Sequence, residues 1–129
     1  MGFWIFMFIM NLSIPVILIL IGLMLYKTDP GDINNYWGYR TKMSMINKDT
    51  WDFAHDYVGR LFCKYGKITL IIASIIFIPF IGQSNDVIGY GGAIIEILEI
   101  VPIFISIHKT EKALKATFDK EGNRLVSKL

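Results

Sequence analysis

Three apolar blocks set the terms for what this chain can fold into: Gly2 to Tyr26, Ile68 to Gly82 and Val87 to Ile107. A helix needs about 20 mostly apolar residues to cross the hydrocarbon core of a bilayer. The first and third blocks meet that length. The second has fifteen residues and reaches it only with Tyr65 to Lys67 and Gln83 to Ser84 as interfacial ends, Lys67 extending its amine outward along its own stem. Hydrophobic residues make up 53% of the 129, but it is their gathering into blocks that argues against a soluble domain. The expected fold is all-α: a three-span transmembrane helical bundle with spans near residues 3–26, 66–84 and 87–107, forming a single membrane domain over 1–129.

A secretory signal in place of the first span would need basic residues ahead of the apolar run and a small-residue cleavage site. Nothing basic precedes it, and Leu23-Met-Leu-Tyr-Lys27 offers no such site. The segment is expected to stay as a helix.

Charge fixes the expected orientation. The stretch before the first span and the turn Gln83-Ser-Asn-Asp86 carry no Lys or Arg. Seven basic residues lie between the first two apolar blocks and six in the tail, which accounts for all thirteen. Translocating Lys and Arg is disfavoured, so the side that holds them is expected to be cytosolic, with the N-terminus outside. The connection 27–65 and the tail 108–129 are then cytosolic. A net charge of +2 gives no case for direct nucleic-acid binding; topology and anionic headgroups account for the basic residues. The lone Cys63 has no partner in the chain for a disulfide and no evident base beside it, and reads as a reduced packing thiol.

The connection contains its own order. Thr28-Asp-Pro-Gly-Asp32 is a turn cluster. From Lys48, Trp51, Ala54, Tyr57, Val58, Leu61 and Phe62 recur at three- and four-residue steps, with Asp49, Asp52, Asp56 and Arg60 on the other face. That spacing predicts an amphipathic helix. Asn47 is its expected N-cap and Asp49 favours its N-terminal dipole. The helix is expected at the inner membrane interface or folded under the bundle, with Trp51 and Tyr57 at headgroup level, running on into the second span with a bend near Gly66. A weaker repeat of the pattern spans Lys109 to Phe118. Asp119 to Asn123 then reads as a turn, with Gly122 as a helix stop.

Within the third block, Glu96 and Glu99 stand at i and i+3 on one helix face, near mid-bilayer. A lone charge there costs a few kcal/mol on insertion scales, so each carboxyl must be protonated, paired or hydrated. One reading is a proton- or cation-handling pair or a ligand site. The other is protonated acids bonded across the bundle to Asn11, Ser13 or Ser74, or to backbone freed at Pro15, Pro79 or Pro102. His55 and His108 have no Cys or His at ligand spacing, so neither a metal nor a cofactor is expected. No nucleophile, base and orienter assemble, so the residues themselves give no support for an enzyme. Arg40 follows two aromatics at the interface. Three uses are open to it: gripping a lipid phosphate, stacking on Trp37 or Tyr39, or tying the loop to Asp49 or Asp52.

The run Asn34-x-x-x-Gly38-Tyr39-Arg40-Thr41, followed by Ser44, Asn47 and Trp51-x-x-Ala54, resembles the signature of the SdpI/YfhL family of small bacterial membrane proteins. The tail elements Glu111-Lys-Ala-Leu114 and Phe118-Asp-x-x-Gly122 are also similar to members of that family. The resemblance implies an integral protein of the bacterial cytoplasmic membrane that is not an enzyme, and points to Asn34, Gly38, Tyr39, Arg40, Thr41, Asn47, Trp51 and Ala54 as partner- or lipid-contacting residues. The family's namesake protects a toxin-producing cell from its own secreted peptide, and is thought to signal by drawing a cytosolic repressor to the membrane. This chain departs in having three spans where the namesake has more, and in His55, where a smaller amide or a basic residue is expected. Three readings follow: toxin immunity or signalling, a small transporter subunit built on Glu96 and Glu99 that would need an oligomer, and a lipid-binding scaffold.

Overall fold

In the computed structural model, which describes residues 1–126, the chain runs α1 (Gly2–Lys27), α2 (Lys48–Phe77), a single 3-10 turn (Ile78–Phe80), α3 (Asn85–Leu98) and α4 (Val101–Thr117). Lys128, one of the tail's basic residues, lies outside the described residues. Three helical units, Gly2–Lys27, Lys48–Phe80 and Asn85–Thr117, are long and apolar enough to cross a membrane. The protein is an all-helical membrane protein. Outward-facing Ile, Leu and Phe line its sides, as expected where lipid rather than water is the solvent.

The amphipathic helix and the second span are one uninterrupted helix, α2, passing through Gly66 without a break. At 1.5 Å per residue its thirty residues extend about 45 Å, some 15 Å more than a hydrocarbon core. The charged first half supplies the excess. Asn47 caps it: its Oδ1 accepts the Thr50 N–H at 2.9 Å, and Thr50 Oγ1 accepts the Asn47 N–H at 3.0 Å. The periodicity holds in part, with Trp51, Ala54, Val58 and Phe62 buried and Tyr57 and Leu61 half-buried. Trp51 is not a headgroup anchor. It is fully buried, its ring tilted against that of His55 with centroids 4.2 Å apart.

α1 packs along α2 over most of its length, and two glycines set how closely they approach. A Cβ on Gly22 would lie 2.7 Å from the Gly59 carbonyl oxygen, and one on Gly59 would lie 2.8 Å from the Gly22 carbonyl oxygen. With no side chain between them, the backbones themselves touch. Cys63, one turn on, is buried against α1 with its thiol 3.5 Å from the Ile19 carbonyl. At the far end Trp4, Phe8, Phe77 and Phe80 stack, and Trp4 Nε1 donates to the Phe77 carbonyl at 3.2 Å.

The third span is not the single helix 87–107 that its apolar run suggests. It breaks at Glu99–Ile100, because Pro102 has no N–H to return to the Leu98 carbonyl. The break redirects the chain: α3 packs on α1, whereas α4 packs on α2. α4 continues into the tail to Thr117, then Asp119–Asn123 forms the expected turn. Gly122, at φ 83°, closes that turn rather than stopping the helix.

Candidate functional site

The connection before α2 has little regular structure, yet side chains fix its path at each step. Asn34 Oδ1 accepts the N–H groups of Tyr36 and Trp37 at 3.0 and 2.7 Å, folding the chain back on itself. Gly38 then takes φ 97°, a backbone only glycine adopts readily, and a Cβ there would run into His55 Nε2. The next N–H, that of Tyr39, donates to His55 Nε2 at 2.9 Å. His55 Nδ1 lies 2.7 Å from the Trp51 carbonyl. A ring nitrogen that accepts carries no proton, so this network assigns a neutral imidazole that donates through Nδ1. Burial also holds the His55 pKa below the ordinary imidazole value. The rings of Trp37 and Trp51 flank it, with centroids 6.1 and 4.2 Å away.

From there the loop is tied to the rest of the protein. The Tyr39 hydroxyl donates to Glu111 of α4 at 2.7 Å. Thr41 and Ser44 exchange bonds, the Ser44 hydroxyl accepting the Thr41 N–H and the Thr41 hydroxyl accepting the Ser44 N–H, at 2.8 and 3.2 Å. Asn47 Nδ2 donates to the Gly122 carbonyl at 2.8 Å, and Arg124 forks onto both carboxylate oxygens of Asp49 at 2.8 Å. The start of α2, the connection and the tail turn therefore form one docked unit.

The geometry divides the eight residues singled out in this region. Asn34, Gly38, Thr41 and Asn47 shape backbone. Tyr39, Trp51 and Ala54 are buried, Ala54 packing with Leu25, Val58, Leu114 and Phe118. Arg40 alone projects outward with an exposed charge. Its guanidinium donates to the Asn35 carbonyl. The tie to Asp49 or Asp52 is not made, because those carboxylates pair with Arg124 and Lys48. No ring lies under the Arg40 guanidinium among the described residues. Beside it, exposed Tyr36 and Trp37 complete the outer surface. Trp37, Gly38 and Tyr39 also meet Ile21, Leu25 and Phe62 around a cavity of about 250 Å³.

A model of the SdpI/YfhL protein family matches residues 32–107, which takes in the Asn34 to Ala54 connection, α2, α3 and part of α4. The chain belongs to this family. In this SdpI-family chain the matched motif lies on the docked unit itself, and its Gly-Tyr-Arg-Thr element is the part that bends over His55. No curated protein and no solved structure matches the chain.

His55 and Glu111 are the members of the unit that sequence reasoning missed. Each acts on a residue far away in the chain, and neither makes a local pattern. Among the intramembrane acids, Glu99 is buried at the α3–α4 break and Glu96 is half-buried. The cross-bundle bonds expected from Asn11, Ser13 and Ser74 are absent. Their donors go to the carbonyls of Met7, Met10 and Leu70 on their own helices instead.

The His55 contact gives the docked unit a pH dependence of defined sign. A histidine whose folded pKa is depressed adds nothing above its unfolded value, and destabilises as pH falls below about 6.5 toward the folded pKa. Protonating Nε2 also removes the acceptor for the Tyr39 N–H. Emission from Trp37, with Trp4 and Trp51 replaced by Phe, should shift as pH falls below that range. His55→Gln should abolish the shift, and a titration that persists in that variant contradicts the assignment.

Proposed function

We propose that this protein acts in toxin immunity or membrane signalling, with the docked connection as its cytosolic recognition surface. The observation that supports this most is the division of the family motif: most of it builds a fixed platform, and the residue left outward is Arg40, beside Tyr36 and Trp37. An arginine flanked by exposed aromatics is the composition of an interaction hot spot. On this reading the outer turn and the span core meet a membrane-active peptide. The platform on the cytosolic side holds a protein partner, a repressor in the manner the family resemblance implies. The orientation rests on the one-sided distribution of Lys and Arg.

Deleting the gene should sensitise the cell to a self-made or neighbouring peptide toxin. Arg40→Ala, expressed at matched membrane levels, should fail to restore resistance, because Arg40 carries no part of the fold beyond a loop carbonyl bond. Unchanged killing curves across such peptides in the deletion strain would count against immunity.

The cavity beneath Trp37 favours a second reading, lipid binding. Its apolar wall suits an acyl chain, and on this reading Arg40, next in the chain to Tyr39 of that wall, would take the phosphate. Salt-sensitive association with anionic lipid that is lost in Arg40→Ala would mark that function.

A further inference from the structure

The change of partner at the α3–α4 break leaves a gap between α2 and the third span. It is an apolar groove of about 230 Å³, walled by Thr69, Ile72 and Ile76 on one side and Ile95, Leu98 and Pro102 on the other. Glu99 is part of the same wall. The residue is 4% exposed, and neither carboxyl oxygen has a hydrogen-bond partner. Glu96, one turn earlier, does not line the groove.

A buried carboxyl without a partner costs several kcal/mol in hydrocarbon unless something satisfies it. The groove itself says what that is. A bare metal cation takes about six or more oxygen ligands, or a compact set of His, Cys and acids. Here the only other side-chain oxygen in the wall is the Thr69 hydroxyl, and no cluster of three metal-ligating side chains exists among the described residues. An ammonium on an apolar body has neither requirement. Its charge pairs with the carboxylate in a short charge-assisted bond, the Thr69 hydroxyl in the same wall is a further acceptor, and its apolar part replaces lipid against isoleucine.

We propose that this groove binds the ammonium group of an apolar amine entering from the lipid, with Glu99 as the counter-charge. The amine can belong to a free lipophilic molecule or to a lysine on a membrane-inserted helix. The chemistry is the same in both, and the test separates them.

The full chain in phosphatidylcholine vesicles is titrated with radiolabelled dodecylamine, with dodecanol as the uncharged control. In a second arm it is titrated with an apolar helical peptide carrying one central lysine, against the same peptide with norleucine. The expected result is saturable binding of an amine probe, one per chain. The affinity should fall at least about tenfold, or 1.4 kcal/mol, in Glu99→Gln, and neither uncharged control should saturate. Binding of dodecylamine identifies a small ligand; binding of the lysine peptide alone identifies a helix side chain. Ile76→Trp fills the groove from its exposed rim without touching Glu99, and should block the same probe while helicity is retained. Equal binding by wild type and Glu99→Gln, or no saturable binding of either amine, overturns the proposal.

Discussion

Gly59→Leu is expected to abolish most folded protein in the membrane. The position is in α2, where a Cβ would lie 2.8 Å from the Gly22 carbonyl oxygen and from the Tyr26 backbone nitrogen. Those neighbours are main-chain atoms, so no rotamer change makes room and the two helices must separate. Overpacking typically costs about 1–3 kcal/mol, and it rises above that range when backbone must move. Gly22→Leu should behave alike, since its Cβ meets the Gly59 carbonyl oxygen at 2.7 Å. The double variant should cost less than the two singles combined, because once the helices separate one gap serves both side chains. Gly2→Ala is the matched control, with nothing within 4 Å of the added carbon. Unfolding in denaturing detergent, followed by circular dichroism, measures all four. Wild-type stability in both leucine variants would show that α1 and α2 do not meet at these glycines.

Gly38→Ala has the second largest effect, and it should be local. Alanine is strained at φ 97°, and its methyl would displace the His55 ring that receives the Tyr39 N–H. Strain of about 1–3 kcal/mol adds to roughly 1 kcal/mol for the lost bond. The docked unit should open while the spans stay folded, because the α1–α2 contact lies elsewhere. In hydrogen exchange the Tyr39 amide should lose protection, and the amides of α1 near Gly22 should keep it. Loss of protection in both places would mean that the connection and the spans unfold as one unit.

What the sequence made legible was local. Three apolar runs specify three membrane-crossing units whatever their neighbours are, and Asn47 as N-cap with Asp49 in the first turn specifies where α2 starts. Pro102, inside the apolar run, is the local signal for the break in the third span. It removes the bond to Leu98, four residues back, and α3 ends there. The Gly-Tyr-Arg-Thr motif marked the family, but not the division of labour among the residues around it. That division depends on His55 and Glu111, 16 and 72 residues from Tyr39, and on Arg124, 75 residues from Asp49. Nothing in the spacing around Trp51 distinguishes a headgroup anchor from a fully buried ring. Burial settles that, and burial comes from the docking of chain segments remote in sequence.

The sidedness of the connection underlies the proposed function, and one labelling experiment tests it most directly. Tyr36→Cys is placed in a Cys63→Ala background, at a site 85% exposed on the outer surface of the docked unit. A membrane-impermeant maleimide is then applied to sealed right-side-out spheroplasts and to inverted membrane vesicles. The account predicts labelling in the inverted vesicles and none in the spheroplasts until they are lysed. Labelling in intact spheroplasts would place Arg40 outside the cell and contradict a cytosolic recognition surface.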